Sequence, residues 1–160
     1  MKPNEVLTKE LTQLQKELIA AYNQKGMKSS GEWEEGLEVQ VYSSSDGLTG
    51  ILKGLNYSQQ LETGRKPGRF PPRDEIEKWI KEKGLAANIE GEISVSSLAF
   101  LIARKISREG WNRQGYGGVN LISDVVTPQR IQNIINLVGD SYVVAVTTDI
   151  VKSFQEINLN

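Results

Sequence analysis

Residues 57–84 read YSQQLETGRKPGRFPPRDEIEKWIKEKG, and this stretch carries the clearest structural punctuation in the chain. Pro71 and Pro72 can lead a helix at its first turn, where a missing N–H costs nothing. Asp74 and Glu75 then fall at the positive end of its dipole, and Lys81 and Lys83 near its negative end. Ile76, Trp79 and Ile80 share one face. Gly84 fits the left-handed position after a helix, with Leu85 placed to fold back on Ile80. The spacing predicts a helix over 72–83, preceded by a Gly/Pro-rich basic loop over 64–72.

The same grammar extends in both directions. Downstream, Ser94 or Ser96 caps a helix over 95–109 whose face is Leu98, Leu101, Ile102 and Ile106, stopped by Gly110 and followed by Trp111. Upstream, Leu7, Leu11, Leu14, Leu18 and Tyr22 alternate at spacings of four and three, one stripe of an amphipathic helix over 4–25. Pro3 and Asn4 start it, Gly26 stops it, and Glu5 is placed to pair with Lys9. Between these helices the period changes to two: Leu37, Val39 and Val41 alternate with Glu38, Gln40 and Tyr42. The run SSSDG before LTGIL gives a β-hairpin over 36–53 with a loop of four or five residues, its second strand bulged or twisted at Gly50 and Gly54. Asn112 to Asn120 reads as a Gly-rich connection and Leu121 to Val126 as a short strand. Thr127 and Pro128 open a last helix over 128–138 or longer. Its β-branched continuation, 141–154, keeps a spacing of four through Tyr142, Val146, Ile150 and Phe154, which favours helix. The fold class expected is α+β in one domain, 1–160, with a long N-terminal helix, a small antiparallel sheet, two central helices and a C-terminal helical segment.

Composition narrows the chemistry. At 160 residues the chain can bury roughly 70% of its unfolded surface around one core. It has neither Cys nor His, which removes thiolate chemistry, Ser-His-Asp triads, imidazole bases and ordinary zinc sites. No catalytic, cofactor or metal residues are assigned, and no enzyme activity is expected. No uninterrupted apolar run approaches the ~20 residues of a bilayer span, and the N-terminus lacks the apolar core of a signal peptide, so a cytosolic origin without a membrane partner is expected. A net charge of −1 provides no overall field for a polyanion.

Three readings compete at the loop. Arg65, Lys66, Arg69 and Arg73 lie together with no acid among them, and Gly64 and Gly68 would let a backbone approach phosphates, as a nucleic-acid-binding module requires. No series of stacking aromatics accompanies them. A rigid protein interface with the arginines and Phe70 as anchors ranks ahead of a solvated turn, and nucleic acid comes third. Gly115 to Gly118 lacks the Lys-Ser/Thr ending of a phosphate-binding loop. Glu34 and Glu35, on opposite sides of an extended segment, form no acid/base pair, and a carboxylate hydrolase would have to be built on Glu62, which has no partner nearby in sequence.

The stretch from Tyr57, together with SLAFLIARKISREGW, resembles the small neck and tail-completion proteins of tailed bacteriophages, in style those of gut Bacteroidales phages including the crAss-like group. Tyr57, Leu61, Glu62, Gly64, Pro67, Pro71, Ile76, Trp79 and Gly84 match the pattern, as do Ala103, Ile106 and Gly110. The likeness covers the central half of the chain; nothing from Val119 onward carries a signature. It implies a virion protein, assembled in the bacterial cytoplasm, that forms a six- or twelve-fold ring of identical copies between portal and tail, with genomic DNA passing through its lumen without sequence-specific binding. Leu7, Leu11, Leu14, Leu18, Trp79 and Trp111 are then expected in packing between subunits, with the loop of Arg65, Lys66, Arg69, Phe70 and Arg73 against a neighbouring ring or near the DNA.

Overall fold

The computed structural model describes residues 1–88, 93–111, 118 and 120–157. Its elements in order are α1 (Pro3–Gln24), α2 (Glu32–Glu35), β1 (Glu38–Ser44), β2 (Gly47–Lys53), α3 (Ser58–Thr63), α4 (Arg73–Glu82), a 3-10 turn (Leu85–Asn88), α5 (Val95–Glu109) and α6 (Pro128–Ile157). This is the mixed helix-and-sheet class that the hydrophobic periods indicate.

The stripe on α1 buries Leu11, Leu14, Leu18 and Tyr22. Its first turn is closed by Glu5, whose carboxylate accepts from Lys2 N–H at 2.9 Å, so Glu5 serves the helix start rather than the expected pair with Lys9. The hairpin turns through Ser45 and Asp46 alone, since Ser44 pairs with Gly47. The two-residue loop, shorter than expected, keeps seven consecutive pairs in register without a bulge. Gly50 is there for closeness: a Cβ on it would lie 2.5 Å from Leu11 Cδ1, and α1 can approach the sheet only over a bare backbone. With Leu7, Val39, Val41 and Leu52, this contact joins Leu11, Leu14 and Ile134 of α6 in one cluster.

A second cluster gathers Leu18, Tyr22, Met27, Trp33, Leu37, Leu61 and Leu121. Trp33 enters it from α2, a turn that replaces the extended segment expected there and places Glu34 and Glu35 on one helical turn. Its ring stacks on Tyr22 at 4.5 Å, and Nε1–H donates to Ser58 Oγ at 3.0 Å. A third cluster is formed by α4 and α5, with Ile76, Ile80, Ala99 and Ala103 at its centre. Leu98, Ile102 and Ile106 of the expected α5 face pack against this cluster, but the small Ala99 and Ala103 are the fully buried positions and Leu101 is exposed, because helices 8–10 Å apart meet most closely over small side chains. Gly84 takes φ +68 at the end of α4, and Leu85 packs back onto the Ile80 cluster.

Residues 121–126 form turns, not a strand. Among the described residues no neighbouring strand offers them a ladder; Asp124 N–H donates to Asn120 O and Val126 N–H to Ile122 O, while Leu121 is wholly buried. Thr127 then caps α6, accepting from Arg130 N–H at 3.1 Å. Gly139 does not end this helix, and the β-branched segment beyond it continues to Ile157 as one element of 30 residues. The Gly-rich stretch 112–117 and residue 119 lie outside the described residues.

Candidate functional site

The basic loop is a strap laid along α5. Arg65 and Trp111 form an isolated antiparallel bridge, Arg65 N–H donating to Trp111 O at 2.7 Å and Trp111 N–H to Arg65 O at 2.6 Å. Farther along, Gly68 N–H donates to Ser107 O at 2.8 Å. The strap passes directly over Gly110, where a Cβ would sit 2.3 Å from Arg65 O and where φ is +78; only glycine meets both conditions at low cost. Phe70 stands against Phe100 of α5 with ring centroids 5.8 Å apart. Both rings and Leu101 remain more than 40% exposed, forming an apolar surface beside the cations.

Those cations are not equivalent. The Arg65 guanidinium turns back to donate to Arg69 O at 2.7 Å. Arg73 donates to Ser96 Oγ at the start of α5 and lies 3.6 Å from Glu77. Among the described residues, Lys66 and Arg69 are exposed and their side chains have no ion pair or hydrogen bond. The four clustered cations of the sequence therefore present two free charges.

Glu62 acts as a turn cap. Its carboxylate accepts from Ile122 N–H at 2.6 Å, from Ser123 N–H at 3.2 Å and from the Ser123 hydroxyl, while its backbone carbonyl accepts from Asn120 N–H at 3.1 Å. Three donors on one carboxylate hold the 120–126 turn and leave the group poorly placed to serve a substrate. Among the described residues, no group of three or more acids could hold a metal ion.

The residues expected between subunits are differently placed. Leu11, Leu14 and Leu18 are under 9% exposed within their own subunit, and Leu7 packs with Leu11 and Leu14; the chain's own core has consumed the stripe. Trp79 and Trp111, both half-buried, line a cleft of about 370 Å³ with Tyr22, Trp33, Tyr57 and Ile76. It separates the α1–α2–α3 part from α4 and α5, and is spanned by Ser29 Oγ donating to Glu82 at 2.6 Å and Lys83 Nζ donating to Gly26 O at 2.9 Å. Burial, then the nearby Glu34 and Tyr57, raise the Tyr22 phenol from 10.0 to about 12.

Comparison with protein-family models, curated proteins and solved structures finds no match to this chain. The surface features thus have to be read from their own chemistry. Sequence reasoning missed the largest of them. From Tyr142 to Glu156 every residue of α6 except Ala145 is exposed, although Tyr142, Val143, Val146, Ile150, Val151 and Phe154 are each 45% or more open to solvent. By length and composition α6 is apolar enough to cross a membrane. Its apolar residues lie on both sides of Gly139–Ser141, which is why no single run in the sequence revealed it.

Proposed function

We propose that the chain is a structural subunit of a homo-oligomeric ring in the neck or tail of a tailed bacteriophage, through which genomic DNA passes. The observation that carries this reading is the pair of separate apolar surfaces left uncovered, one on α6 and one around Phe70, Phe100 and Leu101. A closed ring needs two complementary faces on each subunit, and a stack of rings needs a further one. An uncovered apolar surface of this extent on a compact chain marks an interaction site. The residues that resemble the phage proteins serve structure: Leu61 is buried, Glu62 caps a turn, and Gly110 admits the strap. A stiff strap is a low-entropy interface, since little freedom is lost when a partner docks. The net charge of −1 suits a channel that must release DNA.

Electron microscopy of the protein mixed with portal or tail components, together with its detection in purified virions, tests the reading. Cyclic rings are expected; absence from virions refutes it. A second reading, a nucleic-acid contact through the loop, has support from Lys66 and Arg69, which no group among the described residues engages. Two neutralised phosphates would give a slope of log affinity on log salt of about −2, against about −4 for four. Gel-shift titrations over a range of salt concentrations measure that slope, and a Lys66→Ala/Arg69→Ala variant should remove it.

A further inference from the structure

The register of α6 against α1 shows where its free part begins. Arg130 reaches Glu17 and Glu10, and Ile134 and Val138 pack with Leu14, Leu11 and Leu7, so α6 runs back along α1 towards its N-terminus. The helix α1 starts at Pro3, and α6 past about Tyr142 extends beyond that end. Residues 142–156 extend the helix by roughly 22 Å at 1.5 Å per residue.

The exposed side chains on that extension are not scattered. At 100° per residue, Tyr142, Val143, Val144, Val146, Ile150, Val151 and Phe154 fall within roughly 200° of the helix surface, with Thr147 and Ser153 among them, and the centre of this arc lies nearly opposite Ile134 and Val138, which pack against α1. Ser141, Thr148, Asp149, Lys152 and Glu156 fill the remainder. The arc therefore points away from the subunit that carries it. A helix packed on one partner needs about 100° of apolar surface, and twice that width matches a helix held between two neighbours.

We infer that the outer arc of α6 is the contact between copies of this chain, each α6 packing between the α6 helices of two neighbours in a closed bundle. The inference deepens the ring reading above and rests on it. Seven side chains, each 45% or more exposed, present on the order of 700 Å², above what a monomer commonly leaves exposed as one patch, and two neighbours would share it. A pairwise contact would leave half the arc in water, whereas two flanking copies cover it. A lipid bilayer suits the helix less well, because Asp140, Asp149 and Lys152 would lie within the span and each is costly there.

Sedimentation velocity on the full chain tests the proposal, with assembly into a closed oligomer expected at micromolar concentration. Val146→Glu/Ile150→Glu should sediment as a monomer with unchanged far-UV circular dichroism and melting temperature, since neither side chain supports its own subunit. The chain has no cysteine, so Val146→Cys/Val151→Cys places thiols on the two halves of the arc; oxidation should give a covalent ladder that extends beyond dimer. A monomeric wild type, a ladder that stops at dimer, or flotation with phosphatidylcholine/phosphatidylglycerol vesicles in place of self-association overturns the inference. Rings that persist in the Val146→Glu/Ile150→Glu variant also overturn it while leaving the ring reading intact, whereas absence of the wild-type protein from virions refutes the ring reading alone.

Discussion

Glu62→Ala separates a structural carboxylate from a catalytic one. In the folded chain this carboxylate accepts three donors from Ile122 and Ser123, sixty residues away. Ser123 is exposed, so water replaces the acceptor for its two donors at little cost. Ile122 N–H is part-buried beside the wholly buried Leu121, and an unsatisfied donor there costs about 1–3 kcal/mol. Adding a fraction of a kcal/mol for the exposed contacts gives about 1.5–3.5 kcal/mol, with a central value of about 2–3 kcal/mol. At about 2.1 cal/mol/K per residue of unfolding entropy, that is a fall in melting temperature of roughly 6–9 °C for a chain of this length. Glu62→Gln keeps an acceptor oxygen towards Ile122 and should recover about half the loss. Urea titration followed by circular dichroism, with calorimetry for the melting temperature, measures both variants. A Glu62→Ala protein within about 0.5 kcal/mol of wild type would refute the capping argument, and so would a Gln variant no better than Ala.

The other expectations concern the strap, an ion network and a buried phenol. Gly110→Ala combines a left-handed backbone with a Cβ 2.3 Å from Arg65 O, so it should cost about 3 kcal/mol or more and speed hydrogen exchange at Arg65 and Gly68, as mass spectrometry of that peptide would show; unchanged exchange would mean the strap is held elsewhere. Arg130→Ala leaves Glu10 and Glu17 facing each other without the cation that bridges them at 3.0 and 3.1 Å; a loss of about 1–3 kcal/mol is expected, reduced in high salt, and a double-mutant cycle with Glu17→Ala should give a coupling above about 0.5 kcal/mol. The hydrogen bond to Glu17, then that to Glu10, holds the Arg130 pKa above its usual value against the opposing effect of burial, so the guanidinium stays charged across neutral pH and loses its proton only at extreme alkalinity. Tyr22 is raised from 10.0 to about 12: the folded state binds its proton more tightly, so its stabilisation is complete below pH 10 and disappears as pH rises towards about 12. Absorbance at 295 nm should show a late tyrosinate step that Tyr22→Phe removes.

Much of the helical content was legible because its signals are local. The Pro-Pro start, acidic first turn and Gly84 stop of α4 lie within fourteen residues, and their φ values and dipole contacts need no distant partner. The α1 stripe and the Ser94 cap of α5 are of the same kind. The loop was legible as stiff, but its function was not: Arg65 and Arg73 are occupied by Arg69 O, Ser96 and Glu77, and which cations remain free depends on the strap's path over α5. Phe100 and Leu101 could not be recognised as surface residues, since a helical face broad enough to include Leu101 looks the same whether Leu98 or Ala99 sits at its centre.

By itself the sequence determined an α+β chain with defined starts and stops for its helices, because capping, turn chemistry and hydrophobic period act over a few residues. Tertiary structure decided the rest. It made 121–126 a turn by bringing Glu62 across sixty positions, made Gly50 a point of close approach by laying α1 over the sheet, and placed Leu11, Leu14 and Leu18 in the core. It also left the second half of α6 uncovered. Periodicity shows that a helix has an apolar side; only the path of its neighbours shows how much of that side the described residues cover.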